Sequence, residues 1–120
     1  MPRLLALLPA LLLCTPCLAQ EVSAGTATDL WCGIALTLAV RDVPADAAPE
    51  VLNEVGPYKA GAELLMGRAK SAHLEAGYTE EAFVLYLAAE EAEIAKQLAS
   101  TDPAIAPPHS FEDCAALIGL

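Results

Sequence analysis

The sequence predicts an all-α fold, a small bundle of about four helices closed by one disulfide. Alanine, leucine and glutamate, which are all good helix formers, dominate the chain after residue 19. No segment shows the sustained alternation of apolar and polar residues that is typical of a strand. Proline and glycine residues divide the chain into helix-length segments, and a cysteine in the first of these has a possible partner in the last.

Residues 1–19 are predicted to be a secretory signal peptide. Arg3 supplies positive charge, residues 4–13 are almost entirely apolar, and Cys17 and Ala19 are small residues at the positions that a signal peptidase reads. The apolar run is too short to cross a bilayer, which takes about 20 residues. We therefore expect a single helical domain over 20–120, periplasmic or secreted, with no stable membrane anchor after signal cleavage.

Cys32 and Cys114 are predicted to form a disulfide, because two thiols in a small exported domain usually pair. The bond would close a loop of 82 residues, for which the chain-entropy model gives about 4.5 kcal/mol of stabilisation. It would also tie the first helix to the last. The alternative, a free reactive thiol, is disfavoured in an oxidising compartment.

The first helix is predicted over residues 27–41 and has no charged residue over 30–40. A helix that is apolar on all sides lies at the centre of a bundle. The second helix is predicted to be kinked or split at Gly56-Pro57, because proline removes a backbone hydrogen bond and clashes with the preceding turn. We expect a short helix before that point and a longer one after it.

The junction between the second and third helices is the best-specified local feature. Gly77 is placed to adopt the left-handed conformation that ends a helix, and Thr79 is placed to cap the next one. The third helix is predicted to end near Ala99. Its predicted core residues follow helical spacing: Phe83, Val84, Leu87, Ala88, Ile94, Ala95 and Leu98.

A short final helix is predicted to follow a proline-rich loop. Ser110 is expected to cap this helix, and Asp113 stands at the third position, where it can reciprocate. The helix places Cys114 on its inner face together with apolar residues. That position lets Cys114 reach the buried first helix.

The charge of the chain limits its partners. All sixteen acidic residues follow the predicted signal, and removal of Arg3 takes the net charge from −10 to −11. A charge of this sign repels nucleic acid and anionic lipid, so neither is expected as a partner. We expect an unknown protein or small-molecule partner, and the chain is a possible homodimer.

A possible interaction surface is predicted from an acidic cluster and one aromatic residue, namely Glu90, Glu91, Glu93 and Tyr58. The alternative is that the glutamates form a solvated helix face, because calcium sites draw their oxygen ligands from loops. A groove beside the Gly56-Pro57 break is the second surface predicted for binding.

Catalytic chemistry has little support in the sequence. His73 and His109 have no cysteine or acidic residue at zinc-ligand spacing, and His73 is expected to favour a helix C-terminus as a cation. No serine lies in a nucleophile-elbow pattern, and no glycine-rich phosphate loop is present. We predict no catalytic residues, no metal site and no cofactor.

The sequence thus predicts an exported, non-catalytic helical protein that binds another protein or a ligand. Two alternatives remain, an acid-responsive periplasmic chaperone and, less favoured, a metal-binding protein or enzyme. In layout the chain resembles the small periplasmic acid-stress chaperones, which share a signal peptide, about a hundred helical residues and one disulfide. The resemblance implies a dimer that dissociates in acid and coats unfolding clients. It is one of architecture alone and rests on no motif.

Overall fold

Four α-helices account for most of the residues that the computed structural model describes, 21–120. Those residues contain no strand, so the predicted all-α class is confirmed. The helices are α1 (Ala24–Arg41), α2 (Pro49–Glu75), α3 (Glu80–Ala99) and α4 (Phe111–Leu117). The predicted signal peptide, 1–19, lies outside the described residues.

Helix α1 is the centre of the bundle, as its uncharged sequence predicts. It packs against each of the other three helices. Its residues Leu30, Cys32, Ile34 and Leu36 are all buried. The rest of the core comes from the faces that the other helices turn toward α1, including Ala62, Leu65, Ala69, Phe83, Ile94 and Cys114. Burial of this apolar helix is the main stabilising feature of the fold.

Side-chain caps fix the starts of three of the four helices, α1 and α4 and also α3. Helix α1 begins three residues earlier than predicted, because Ser23 Oγ accepts a hydrogen bond from the Thr26 N–H at 3.1 Å. At α4 the predicted capping box is confirmed: Ser110 Oγ accepts from the Asp113 N–H, and Asp113 Oδ2 accepts from the Ser110 N–H. The hydrogen bond with the Ser110 backbone is the main cause that lowers the pKa of Asp113, and the hydrogen bond with the Ser110 side chain lowers it further.

The hairpin between α2 and α3 forms as predicted. Gly77 has a φ of 102°, and its N–H donates to the Leu74 carbonyl at 3.1 Å. The Tyr78 N–H donates to the His73 carbonyl at 3.0 Å, which completes a Schellman motif. Thr79 then caps α3 by accepting from the Ala82 N–H. Glycine is required at position 77 because other residues rarely adopt this backbone conformation.

The sequence predicts a kink or a split of the second helix at Gly56-Pro57, and the split is wrong, since α2 is one helix through Pro57. Proline leaves the carbonyl four residues earlier without its helical donor. That carbonyl belongs to Asn53, an exposed residue, so water can serve as the donor. The cost of the proline is therefore small enough for the helix to continue.

The prediction for the inner face of α3 is only partly correct. Phe83 and Ile94 are buried, but Val84 and Leu98 are 61% and 45% exposed. Ala88 and Ala95, which were also expected in the core, are exposed as well. The reason is that α3 meets the bundle along a narrow strip, and helical spacing alone does not show how wide that strip is.

The predicted cysteine pair joins α1 to α4 in the core. Cys32 and Cys114 are both buried, with their sulfur atoms 2.09 Å apart and their Cα atoms 5.2 Å apart. This distance is that of a disulfide bond. A second tie lies nearby, where Trp31 Nε1 donates to Gln97 Oε1 of α3 at 3.1 Å. Helices α3 and α4 are therefore both tied to α1.

Candidate functional site

A groove runs between the end of α1, the loop over 42–48 and the first half of α2. It has a volume of about 310 Å³ and lies beside Gly56-Pro57, where the sequence predicts a binding groove. Most of its walls are apolar side chains, namely Val40, Val43, Pro44, Leu52 and Val55. Arg41, Lys59 and Glu63 are the charged residues that line it. We call this feature the α1–α2 groove.

The groove exists because α2 begins well away from α1. Helix α1 ends at Arg41, and the chain turns through Pro44 before α2 starts at Pro49. Further along, Gly33 of α1 lies against Met66 of α2 and Ala62 of α2 is buried, so the two helices approach closely there. The first turns of α2 stand further out, and Leu52 is 38% exposed. The two helices thus diverge and leave an apolar wall open to solvent.

The charge at the groove differs from that of the rest of the molecule. Of the five basic residues in the described chain, two line this one cavity. The Arg41 guanidinium lies 3.7 Å from Glu91 and 3.8 Å from Asp42, so carboxylates already neutralise it in part. Within residues 21–120, Lys59 has no carboxylate oxygen within 4.0 Å. Lys59 is therefore the cation best placed to meet an incoming anion.

The four residues of the predicted interaction surface occupy different environments. Tyr58 lies on α2, where its ring packs against Phe111 of α4 with 5.3 Å between centroids. Glu90 is half-buried on α3, Glu91 pairs with Arg41, and Glu93 is exposed. The glutamates share one helix but face different neighbours, and Tyr58 belongs to the contact between α2 and α4.

His73 lies in the last turn of α2 and is buried. It is 1% exposed, and its ring lies 5.0 to 5.3 Å from those of Tyr78, Phe83 and Tyr86. Its Nδ1 is 2.6 Å from the Ala69 carbonyl, so this nitrogen carries the proton and donates. Its Nε2 is buried and has no partner in the described structure. Burial raises the pKa of Tyr86, and the negative charge of Glu90 raises it further.

A second, smaller cavity lies beside the middle of α1. Its volume is about 250 Å³, and its apolar lining includes Trp31, Leu36 and the disulfide residue Cys114. His109, from the proline-rich loop, packs edge-on against Trp31 with 5.4 Å between centroids, and Phe111 also lines the cavity. The lining contains no aspartate, glutamate, lysine or arginine, so it offers little to orient a ligand.

Two kinds of feature are absent from the described part of the chain. No group of three histidine, cysteine or acidic side chains in residues 21–120 is arranged to hold a metal ion. None of the helices described is long and apolar enough to cross a membrane.

Sequence reasoning found the groove but missed its charges. Lys59 has no part in the sequence-based prediction, and Arg41 enters it only as the last residue of the first helix. The sequence does contain a hint of these charges. After the predicted signal peptide it has only five basic residues against sixteen acidic ones, and two of the five, Arg41 and Lys59, lie on either side of the loop over 42–48. What the sequence does not give is the angle at which α1 and α2 diverge.

Comparison of the chain with family models, curated proteins and solved structures finds no match in any of the three. The resemblance to acid-stress chaperones therefore remains one of layout.

Proposed function

We propose that this chain is an exported, non-catalytic binding protein whose α1–α2 groove takes a small apolar molecule with one anionic group. The observation that carries the proposal is the convergence of Arg41 and Lys59 on an apolar groove in a chain of net charge −10. The overall field of such a chain repels anions, so local cations are needed to bind one. Export is inferred from the predicted signal and the disulfide.

The size of the groove limits the ligand. Pockets for small molecules span roughly 300 to 1,000 Å³, and this one has about 310 Å³. A straight alkyl chain of medium length suits a groove of this size, with its body against Val40, Val43 and Leu52 and its head group near Lys59. An alkyl carboxylate is therefore the ligand class that we propose.

Calorimetric titration with octanoate and octylammonium tests the proposal. The two probes have similar apolar bodies and opposite charges, so we expect octanoate to bind and octylammonium to bind more weakly. Lys59→Gln should weaken octanoate binding about 1.4- to fivefold, because exposed ion pairs contribute about 0.2–1 kcal/mol. Lys70→Gln is the matched control, since Lys70 lies on the same helix outside the groove and pairs with Glu80.

The apolar wall has its own matched pair of variants. Leu52→Asn should weaken binding of both probes, whereas Leu64→Asn should leave binding unchanged. Both leucines are exposed residues of α2, and only Leu52 lines the groove. Equal affinity for the two probes, or equal effects of the two leucine substitutions, would contradict the proposal.

One observation favours an acid-responsive periplasmic chaperone as the second candidate. Nε2 of His73 is buried and has no hydrogen-bond partner in the described structure. The groups around the ring are Tyr78, Phe83 and Tyr86, with Glu90 beside Tyr86. A buried polar atom without a partner costs free energy, so the α2–α3 hairpin is a weak point at which the bundle can open.

Client aggregation measured at about pH 3, where most carboxyl groups are protonated, tests this second candidate. Wild-type protein should suppress the aggregation, and His73→Phe, which keeps an aromatic ring but removes the unpaired nitrogen, should suppress it less. No suppression by the wild type, or equal suppression by both proteins, would remove this mechanism.

A further inference from the structure

The outward surface of α3 is apolar over most of its length. Its central residues recur every three or four positions and are all exposed, namely Leu85, Ala88, Ala92, Ala95 and Ala99. Val84 and Leu98 flank this row, and Leu85 is the most exposed large apolar residue of the described chain, at 73%. We call these seven residues the outer α3 face. Alternating steps of three and four form the seam of a coiled coil, which a second helix covers.

The α3 helix of a second copy of this chain has residues at the spacing needed to cover that seam. Consider two α3 helices that run antiparallel, related by a two-fold axis at the level of Glu90. Leu85 then lies opposite Ala95 of the other copy, and Ala88 lies opposite Ala92. Each contact occurs twice, as an isologous interface requires. The largest seam residue meets a small one, and the alanines allow the helices to approach closely.

The charges at the two ends of α3 select this direction. Glu80 and Glu81 lie at its start and Lys96 near its end. In the described part of the chain, no carboxylate oxygen lies within 4.0 Å of the Lys96 amine. An antiparallel pair brings Glu81 of one copy beside Lys96 of the other, whereas a parallel pair brings the two acidic ends together. Complementary charges of this kind fix the register of an interface.

We propose that the outer α3 face is a homodimer interface in which two copies pair antiparallel. Elsewhere the chain carries excess negative charge, and two copies repel one another. The central positions of the outer α3 face are uncharged, so charge repulsion between two copies is weakest there. A single pair of 20-residue helices buries less area than obligate dimers do, so the dimer is weak and depends on concentration.

Sedimentation equilibrium over a concentration series, without reductant, tests the interface. We expect the wild type to shift from monomer to dimer as its concentration rises. Ala92→Glu should stay monomeric, because it places two carboxylates close together near the two-fold axis. Ala60→Glu is the matched control, with the same substitution at an exposed position of α2, and it should dimerise like the wild type. Far-UV circular dichroism verifies that both variants are folded.

A charge exchange tests the direction of pairing. Lys96→Glu and Glu81→Lys should each weaken the dimer, because each leaves like charges facing across the interface. An equimolar mixture of the two variants should associate more strongly than either alone, since both contacts then join opposite charges. A wild type that stays monomeric, a dimer that survives Ala92→Glu, or a mixture no stronger than its components would overturn the proposal. A monomer that instead binds an unrelated amphipathic helix at this face would overturn it as well.

Discussion

Replacement of Gly61 by alanine is expected to destabilise the protein, although the same change elsewhere in α2 is expected to stabilise it. Gly61 is a buried residue of α2 that faces Ile118, just after α4. A Cβ atom added there would lie 2.8 Å from Cγ2 of Ile118 and 2.9 Å from its Cβ, and closer still to Cδ1. Rotation of the Ile118 side chain cannot move its Cβ, so the backbone has to shift.

The expected magnitude follows from two opposing terms. Alanine in a helix interior is favoured over glycine by about 1 kcal/mol. An extra carbon in a well-packed core costs about 1–3 kcal/mol, and the disulfide at Cys114 restrains α4 from moving aside. Gly61→Ala should therefore lower the free energy of unfolding by up to about 2 kcal/mol. Gly67→Ala meets no atom within 4 Å and should raise that free energy by about 0.5–1 kcal/mol.

Urea denaturation under non-reducing conditions, followed by circular dichroism, measures both variants against the wild type. Both changes remove a glycine from the interior of the same helix, so their difference isolates the contact with Ile118. A Gly61→Ala variant as stable as Gly67→Ala would refute the reasoning. It would mean that α4 does not pack on α2 at this position.

Two further predictions concern the last helix. Replacement of both Cys32 and Cys114 by serine should lower the free energy of unfolding by about 4 kcal/mol, measured by urea denaturation, and an unchanged midpoint would contradict the tie between α1 and α4. Because hydrogen bonds from Ser110 lower the pKa of Asp113 in the folded state, this carboxylate stabilises the fold above about pH 4 and loses that effect as the pH falls through the lowered pKa. Asp113→Ala should therefore lose less stability than the wild type between about pH 6 and pH 3, and equal losses would contradict it.

Local signals in the sequence were sufficient for the features that depend on neighbouring residues. Gly77 and Thr79 define the hairpin, and Ser110 with Asp113 defines the start of α4, because each involves backbone groups within a few positions. The start of α1 was missed because Ser23 and Thr26 compete as caps, and sequence alone does not rank them. The predicted split at Pro57 does not occur, because the carbonyl that loses its helical hydrogen bond belongs to Asn53, which is exposed to water.

The candidate sites were harder to predict because they depend on how helices diverge. Helical spacing placed Val84 and Leu98 with Phe83, yet only Phe83 reaches the core. His73 was expected only to lie near a helix C-terminus, and its burial against Tyr78 and Tyr86 of the hairpin was not predicted. A pattern of residues gives the direction in which a side chain points from its own helix. It does not give the distance to the next helix.

The distribution of the five basic residues in the described chain links the two proposed surfaces. Three of them join separate helices, through Arg41 with Glu91, Arg68 with Asp29, and Lys70 with Glu80. The two that have no carboxylate within 4.0 Å in residues 21–120 are Lys59 and Lys96. In a chain with sixteen acidic residues, a cation without a nearby carboxylate lacks its most favourable contact within the fold. One lines the α1–α2 groove and the other adjoins the outer α3 face, the two surfaces at which we propose an anionic partner from outside the chain.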